Sequence, residues 1–150
     1  MADELICSGG CVCGAIQYEL LGKPAFVFMC HCRDCQRATG STYAPNAWFP
    51  LASVNFVKGT LKSHVVIGGS GKSVYHQFCE SCGSPVGMRS DGYPDFRAVR
   101  VASMDSPSLL EPIADVWTGS KIGWDPLHPS APKYEGGVPE KALMEIMMAG

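Results

Sequence analysis

At 150 residues and 46% hydrophobic content, the chain is long enough for one sizeable core and too short for two, so a single domain over residues 1–150 is expected. A formal net charge of -2, without a lysine- and arginine-rich run, disfavours nucleic acid as a partner, and no stretch nears the roughly 20 apolar residues of a membrane-spanning helix. The acidic start, Met1 to Ile6, lacks a signal-peptide pattern, and thiols free of disulfides suit a reducing, cytoplasmic setting.

In chain order, Ala15 to Leu20 alternates, with Ile16, Tyr18 and Leu20 on one face, and predicts a half-buried strand. Turn residues Leu21 to Pro24 lead into the apolar run Ala25 to Met29, which reads as the second arm of a hairpin delivering Cys30. Arg33 to Thr39 predicts about two helical turns stopped by Gly40. Further strands are expected at Tyr43 to Phe49, Val54 to Val57, Leu61 to Ile67, Ser73 to Phe78, Pro85 to Met88, Phe96 to Ala102 and Ile113 to Trp117, most of them bounded by Gly, Pro, Ser, Asp or Asn. Residues 131–150 form a C-terminal tail or short helix, with Pro139 at a suitable first-turn position and good helix formers after it. The fold class is therefore mainly β with little helix.

Seven of the eight cysteines fall in three clusters: Cys11 and Cys13; Cys30, Cys32 and Cys35; Cys79 and Cys82. Zinc–sulfur bonds of about 2.3 Å in a tetrahedral shell need sulfurs within roughly 4 Å of one another, which closely spaced cysteines on a bent chain supply. Alternate residues of an extended strand lie about 6.6 Å apart. The glycines around Cys11 and Cys13 therefore matter, because they let the backbone curl until both thiols converge. Cys79-Glu-Ser-Cys82-Gly83 resembles a zinc knuckle. The first and last clusters together make a saturated four-thiolate set, hence structural, whereas the middle cluster makes a set of three with an open fourth position, the pattern of a catalytic zinc. Three thiolates outweigh the charge of zinc, and Arg33 and Arg37 are the nearest compensating cations in sequence. Spacing alone leaves alternatives: Cys32 and Cys35 with Cys79 and Cys82 as a zinc-ribbon pair, Cys7 as an eighth ligand completing a second four-thiolate set, or disulfides.

The blocks Gly10-Cys-Val-Cys-Gly-Ala-Ile-Gln-Tyr18, Cys30-His-Cys-Arg-Asp-Cys-Gln-Arg-Ala-Thr-Gly40 and Phe78-Cys-Glu-Ser-Cys-Gly-Ser-Pro85 resemble, in order and spacing, the glutathione-dependent formaldehyde-activating enzyme family, also called the centromere protein V/GFA domain. With the intervening strands, the resemblance covers about residues 6–130. It implies an Mss4-like fold of short antiparallel sheets held by two Zn2+ ions. Cys11, Cys13, Cys79 and Cys82 match the structural zinc ligands, and Cys30, Cys32 and Cys35 the catalytic ones. It further implies a carbon–sulfur lyase that joins a small thiol and an aldehyde, with glutathione and formaldehyde as the family's pair. Beyond the zinc ligands, no glutathione-recognition motif stands out. The rival readings are a zinc-stabilised β binding module and a zinc or thiol sensor.

Other candidates have plainer readings. His31 lies between two cysteines, but in an extended segment its side chain points away from them, as a hydrogen-bonded structural histidine would. His64, His76 and His128 read as surface or packing residues. Trp48, Trp117 and Trp124 suit either a core or a pocket wall. Asp34, Glu80 and Asp125 are possible proton handlers, although isolated carboxylates are usually solvated. Cys7 is the leftover thiol.

Overall fold

The computed structural model describes residues 4–149, and these are mainly β. The order is β1 (Leu5–Gly10), β2 (Gln17–Leu21), β3 (Phe26–Cys30), α1 (Arg33–Thr39), β4 (Ala44–Pro50), β5 (Val54–Lys58), β6 (Lys62–Ile67), β7 (Ser73–Phe78), β8 (Pro85–Ser90), β9 (Phe96–Arg100), β10 (Ala114–Val116) and α2 (Glu140–Ala149). Strands β1-β2-β5 make a three-stranded sheet, and β10-β3-β4-β9-β8-β7-β6 a seven-stranded one. All pairings are antiparallel except β10 with β3, where the chain returns from β9 to the far edge and runs alongside β3.

The expected hairpin between Ala15–Leu20 and Ala25–Met29 does not form. β2 pairs with β1 and β5, whereas β3 pairs with β4 and β10, so the turn at Leu21 to Pro24 carries the chain from one sheet to the other. Burial explains the separation. All five residues of β3 are buried, as in a strand covered on both faces, while β2 alternates. Strand β1 lies outside the strands expected from the sequence, and Gly9 within it serves close approach, since a Cβ there would lie 2.4 Å from the Tyr18 hydroxyl. β9 stops at Arg100, short of the expected Ala102, because Val101–Ser103 tightens into a 3-10 turn.

Strand register divides the large sheet into two faces. Val27, Ala47 and Val99 are cross-strand neighbours and join Tyr18, Leu20, Phe49 and Val54 in the core between the sheets. On the opposite face, Phe26, Trp48, Ala98, Met88 and His76 form one row across β3, β4, β9, β8 and β7, and Phe28, Asn46 and Arg100 form the next. A bulge between Gln77 and Phe78 leaves Val86 as the extra residue of β8, so that Val86 enters the inter-sheet core while Met88 faces out. This second face is covered by the tail. Val138, Ala142, Leu143 and Ile146 pack on it, which gives α2 a packing face rather than a frayed end.

Asp115 on β10 ties that cover down. Its side chain is fully buried, accepts a 2.7 Å hydrogen bond from His31 Nε2 and a 3.1 Å bond from the His128 amide, and lies 3.8 Å from Lys133 Nζ. Removing one partner of a buried charged network typically costs about 3–5 kcal/mol. Asp115→Ala should therefore lose several kcal/mol in a urea melt, and a loss of under about 1 kcal/mol would show that the tail is held by packing alone.

Candidate metal and substrate site

Two groups of thiols converge: Cys11, Cys13, Cys79 and Cys82 in one, Cys30, Cys32 and Cys35 in the other, with the sulfurs of each group within 4.8 Å of one another. In the first, Cys11 and Cys13 sit just past β1, with their sulfurs 3.6 Å apart, and Cys13 lies 3.8 Å from Cys79. Gly14, at φ 79°, bends the chain back so that the Ile16 amide donates to Cys11 Sγ over 3.2 Å. Across from it, Gly83 at φ 77° closes the knuckle, its amide donating to the Cys79 carbonyl. The Val12 amide donates to Ser84 Oγ and locks one loop onto the other. Hydrogen bonds from Ser84 pull the Cys82 thiol down to about 5. The zinc-ribbon pairing of Cys32 and Cys35 with Cys79 and Cys82 is not formed. Cys7 is in neither group; its thiol donates to the Ser8 carbonyl within the inter-sheet core.

The second group is local. Cys30 ends β3, Cys32 caps α1 by accepting the Cys35 amide at 3.2 Å, and Cys35 is buried on the first turn. The αL residue Gly40 closes the helix after Thr39. Buried Gln36 fixes the turn by donating to the carbonyls of His31 and Ser120. His31 points away from the sulfurs to Asp115, as the alternation of an extended segment requires.

Charge compensation comes from a residue far away in sequence. Arg33 and Arg37 are exposed, and Arg33 donates to Gln36. Arg100, only 3% exposed, reaches the group instead: Nη1 lies 3.7 Å from Cys35 Sγ and donates to Asn46 Oδ1 at 2.8 Å, while Nη2 donates to His76 Nδ1 at 2.8 Å. Among the described residues it has no carboxylate partner. A buried guanidinium needs an anion, and the thiol group is the one at hand. Hydrogen bonds from Cys30 and Cys32 hold the Cys35 thiol well below its ordinary value, with the Arg100 charge adding to them. Cys30 moves the other way, raised by its bonds to Cys32 and Cys35 and by burial. Burial, followed by the Arg100 charge, lowers His76. His76 is thus part of the site rather than a bland packing residue, and neutral Nδ1 is its acceptor.

A cavity of about 460 Å3 opens over the three thiols. Trp48 and Trp117 border it, whereas Trp124 is exposed and elsewhere. Asp34 lies between this cavity and a second hollow of about 540 Å3 that includes Arg37. Glu80 pairs loosely with Lys62 at the surface, and Asp125 borders neither cavity. Trp117 is the one described non-glycine residue at positive φ, 57°. Its ring lies against Gly69, where a Cβ would approach within 2.6 Å, and near Gly136 and Gly137. Such a conformation stores about 1–3 kcal/mol, a strain that tends to occur at ligand clamps.

The sequence profile described as glutathione-dependent formaldehyde-activating enzyme matches residues 6–120. The chain belongs to this family. A crystal structure of a Rhodobacter sphaeroides protein, from a structural-genomics programme, superposes with a TM-score of 0.51 at 24% identity, over 85% of this chain and 98% of that one, a likeness of fold. A search of curated proteins finds no match. Among the described residues no helix is long and apolar enough to cross a membrane.

Arg100→Met would leave Asn46, His76 and Cys35 facing an apolar chain. A loss of roughly 2 kcal/mol or more in denaturant midpoint stability is expected. Arg33→Met, on the exposed face of α1, should stay within about 0.5 kcal/mol of the parent. Equal effects of the two would return charge compensation to the surface arginines.

Proposed function

We propose that the protein is a zinc-dependent carbon–sulfur lyase that activates a thiol for addition to, or release from, a small aldehyde. The observation that carries this reading is the donor set of three: among the described residues Cys30, Cys32 and Cys35 form a group without a fourth His, Cys, Asp or Glu donor, beside the 460 Å3 cavity. All-sulfur donors at these separations fit zinc, and Cys11, Cys13, Cys79 and Cys82 offer a second, complete shell for a structural ion. When bound at the three-thiol group, zinc supplies a thiophilic position that lowers the pKa of a substrate thiol.

The chain's own residues do the rest. Cys30, Cys32 and Cys35 would hold the ion, and their excess negative charge is balanced by Arg100 from the buried side. Asn46 and His76 hold the Arg100 guanidinium in place. The apolar walls provided by Phe28, Trp48 and Met88 displace water from the reacting thiol, and Asp34 is the carboxylate among the cavity's lining that could exchange a proton. The family membership supports a thiol and an aldehyde as substrates, glutathione being the thiol that the family's description names.

Purified protein should contain about two zinc ions per chain and accelerate hemithioacetal formation beyond the uncatalysed rate. Cys32→Ser should lose one ion and the whole rate increment while keeping its fold. X-ray absorption should report one site of three sulfurs and one lighter atom, and two four-sulfur sites would instead make the protein a structural module. Because a structural zinc supplies about 10 kcal/mol against a typical net stability of about 5–15, Cys79→Ser should unfold. A Cys79→Ser protein with native circular dichroism and an unchanged melt would remove the structural role.

A further inference from the structure

The cavity beside the three thiols is walled by four aromatic side chains, Phe28, Trp48, Tyr93 and Trp117, with Val74 and Met88 between them. Its charged lining consists of one exposed cation, Lys72, and one anion, Asp34. Arg100 does not line this cavity, and both its terminal nitrogens are turned to Asn46, His76 and Cys35. Glutathione carries two carboxylates and one ammonium at neutral pH. Seating it against these walls would strip water from two carboxylates and return one cation, Lys72, with only neutral polar side chains such as Asn46, Ser70, His76 and Ser90 beside it, a losing exchange. An aromatic ring meets the opposite conditions. It gains by leaving water and by edge or offset contact with the rings already present. The strained Trp117, held flat by glycine backbone at Gly69, Gly136 and Gly137, gives such a ring a rigid wall.

We propose that the thiol this site accepts carries its sulfur on an uncharged, aromatic body, and that peptide thiols such as glutathione are poor ligands. The inference rests on the thiol-adding reading above. In the reaction the thiol sulfur forms a bond to the aldehyde carbon, the carbonyl π pair moves onto oxygen, and the proton lost from sulfur ends on that oxygen. Nothing is oxidised or reduced, and the reverse reaction returns thiol and aldehyde.

Phenylmethanethiol and glutathione are the probes, titrated calorimetrically into the purified, metal-replete protein and then assayed with formaldehyde. Phenylmethanethiol should bind at least about tenfold more tightly than glutathione. Trp117→Ala, which removes the wall, and Val74→Lys, which adds a second cation, should each cut that preference to about threefold or less. Each variant is first checked for native circular dichroism, and either one that folds suffices. Equal or tighter binding of glutathione, or a preference that the folded variants leave unmoved, overturns the proposal. Acceleration of glutathione addition alone overturns it too while leaving the thiol-adding reading intact. Selective binding of phenylmethanethiol without acceleration of either thiol supports the cavity's selectivity and removes the lyase reading.

Discussion

A buried arginine with no carboxylate to face among the described residues is the constraint around which the site is arranged. Arg100 could be sequestered at the end of β9 only if an anion met it there, and the anion is the sulfur group at the start of α1. The pairing works in both directions. Three thiols crowded together resist ionisation, and a fixed positive charge behind Cys35 relieves part of that resistance. Asn46 and His76 complete the arrangement by accepting from Nη1 and Nη2, so that the cation's position is set by the sheet and not by a flexible side chain at the surface.

Register is what brings these groups together. Asn46 and Arg100 are direct cross-strand partners on β4 and β9, and His76 lies on the neighbouring row. A slip of one residue in β9 would turn Arg100 into the inter-sheet core and Val99 out toward the sulfurs, so the pattern Phe96-Arg-Ala-Val-Arg100 is readable in only one phase. The same phase puts Ala98 beneath the cavity and Val99 against Ala47, one small residue on each face where space is limited.

Much of this was legible in the chain. The cysteine clusters, α1 with its Gly40 stop, and most strands follow from local pattern, and the mainly β class follows with them. Long-range partners were not legible, for physical reasons. Cys30 and Arg100 are joined by two strand pairings whose order no local period encodes, and an arginine at a strand end reads as solvated until its neighbours are known. His76 looked ordinary for the same reason, since its importance comes from the Arg100 bond and not from its own spacing. The hairpin expectation failed because a Gly-Pro turn announces a reversal without saying into which sheet the chain goes. What did carry a hint was β3 itself: five apolar or thiol residues in a row are too many for one arm of a half-exposed hairpin.

The two thiol groups differ in what they connect, and this separates their consequences. Cys11 and Cys13 leave the small sheet at the end of β1, while Cys79 and Cys82 belong to the β7–β8 turn of the large sheet, so an ion shared by these four would clamp the two layers at one edge of their common core. Closing so long a loop is what makes such a clamp valuable to stability. Cys30, Cys32 and Cys35 span a single strand-to-helix corner, and their convergence is already fixed by the Cys32 cap, by Gln36 and by the His31–Asp115 bond. A metal at that corner would have little folding left to do. Its binding energy is then free to favour a ligand from the cavity, and a group that adds least to the fold is the one best placed for chemistry.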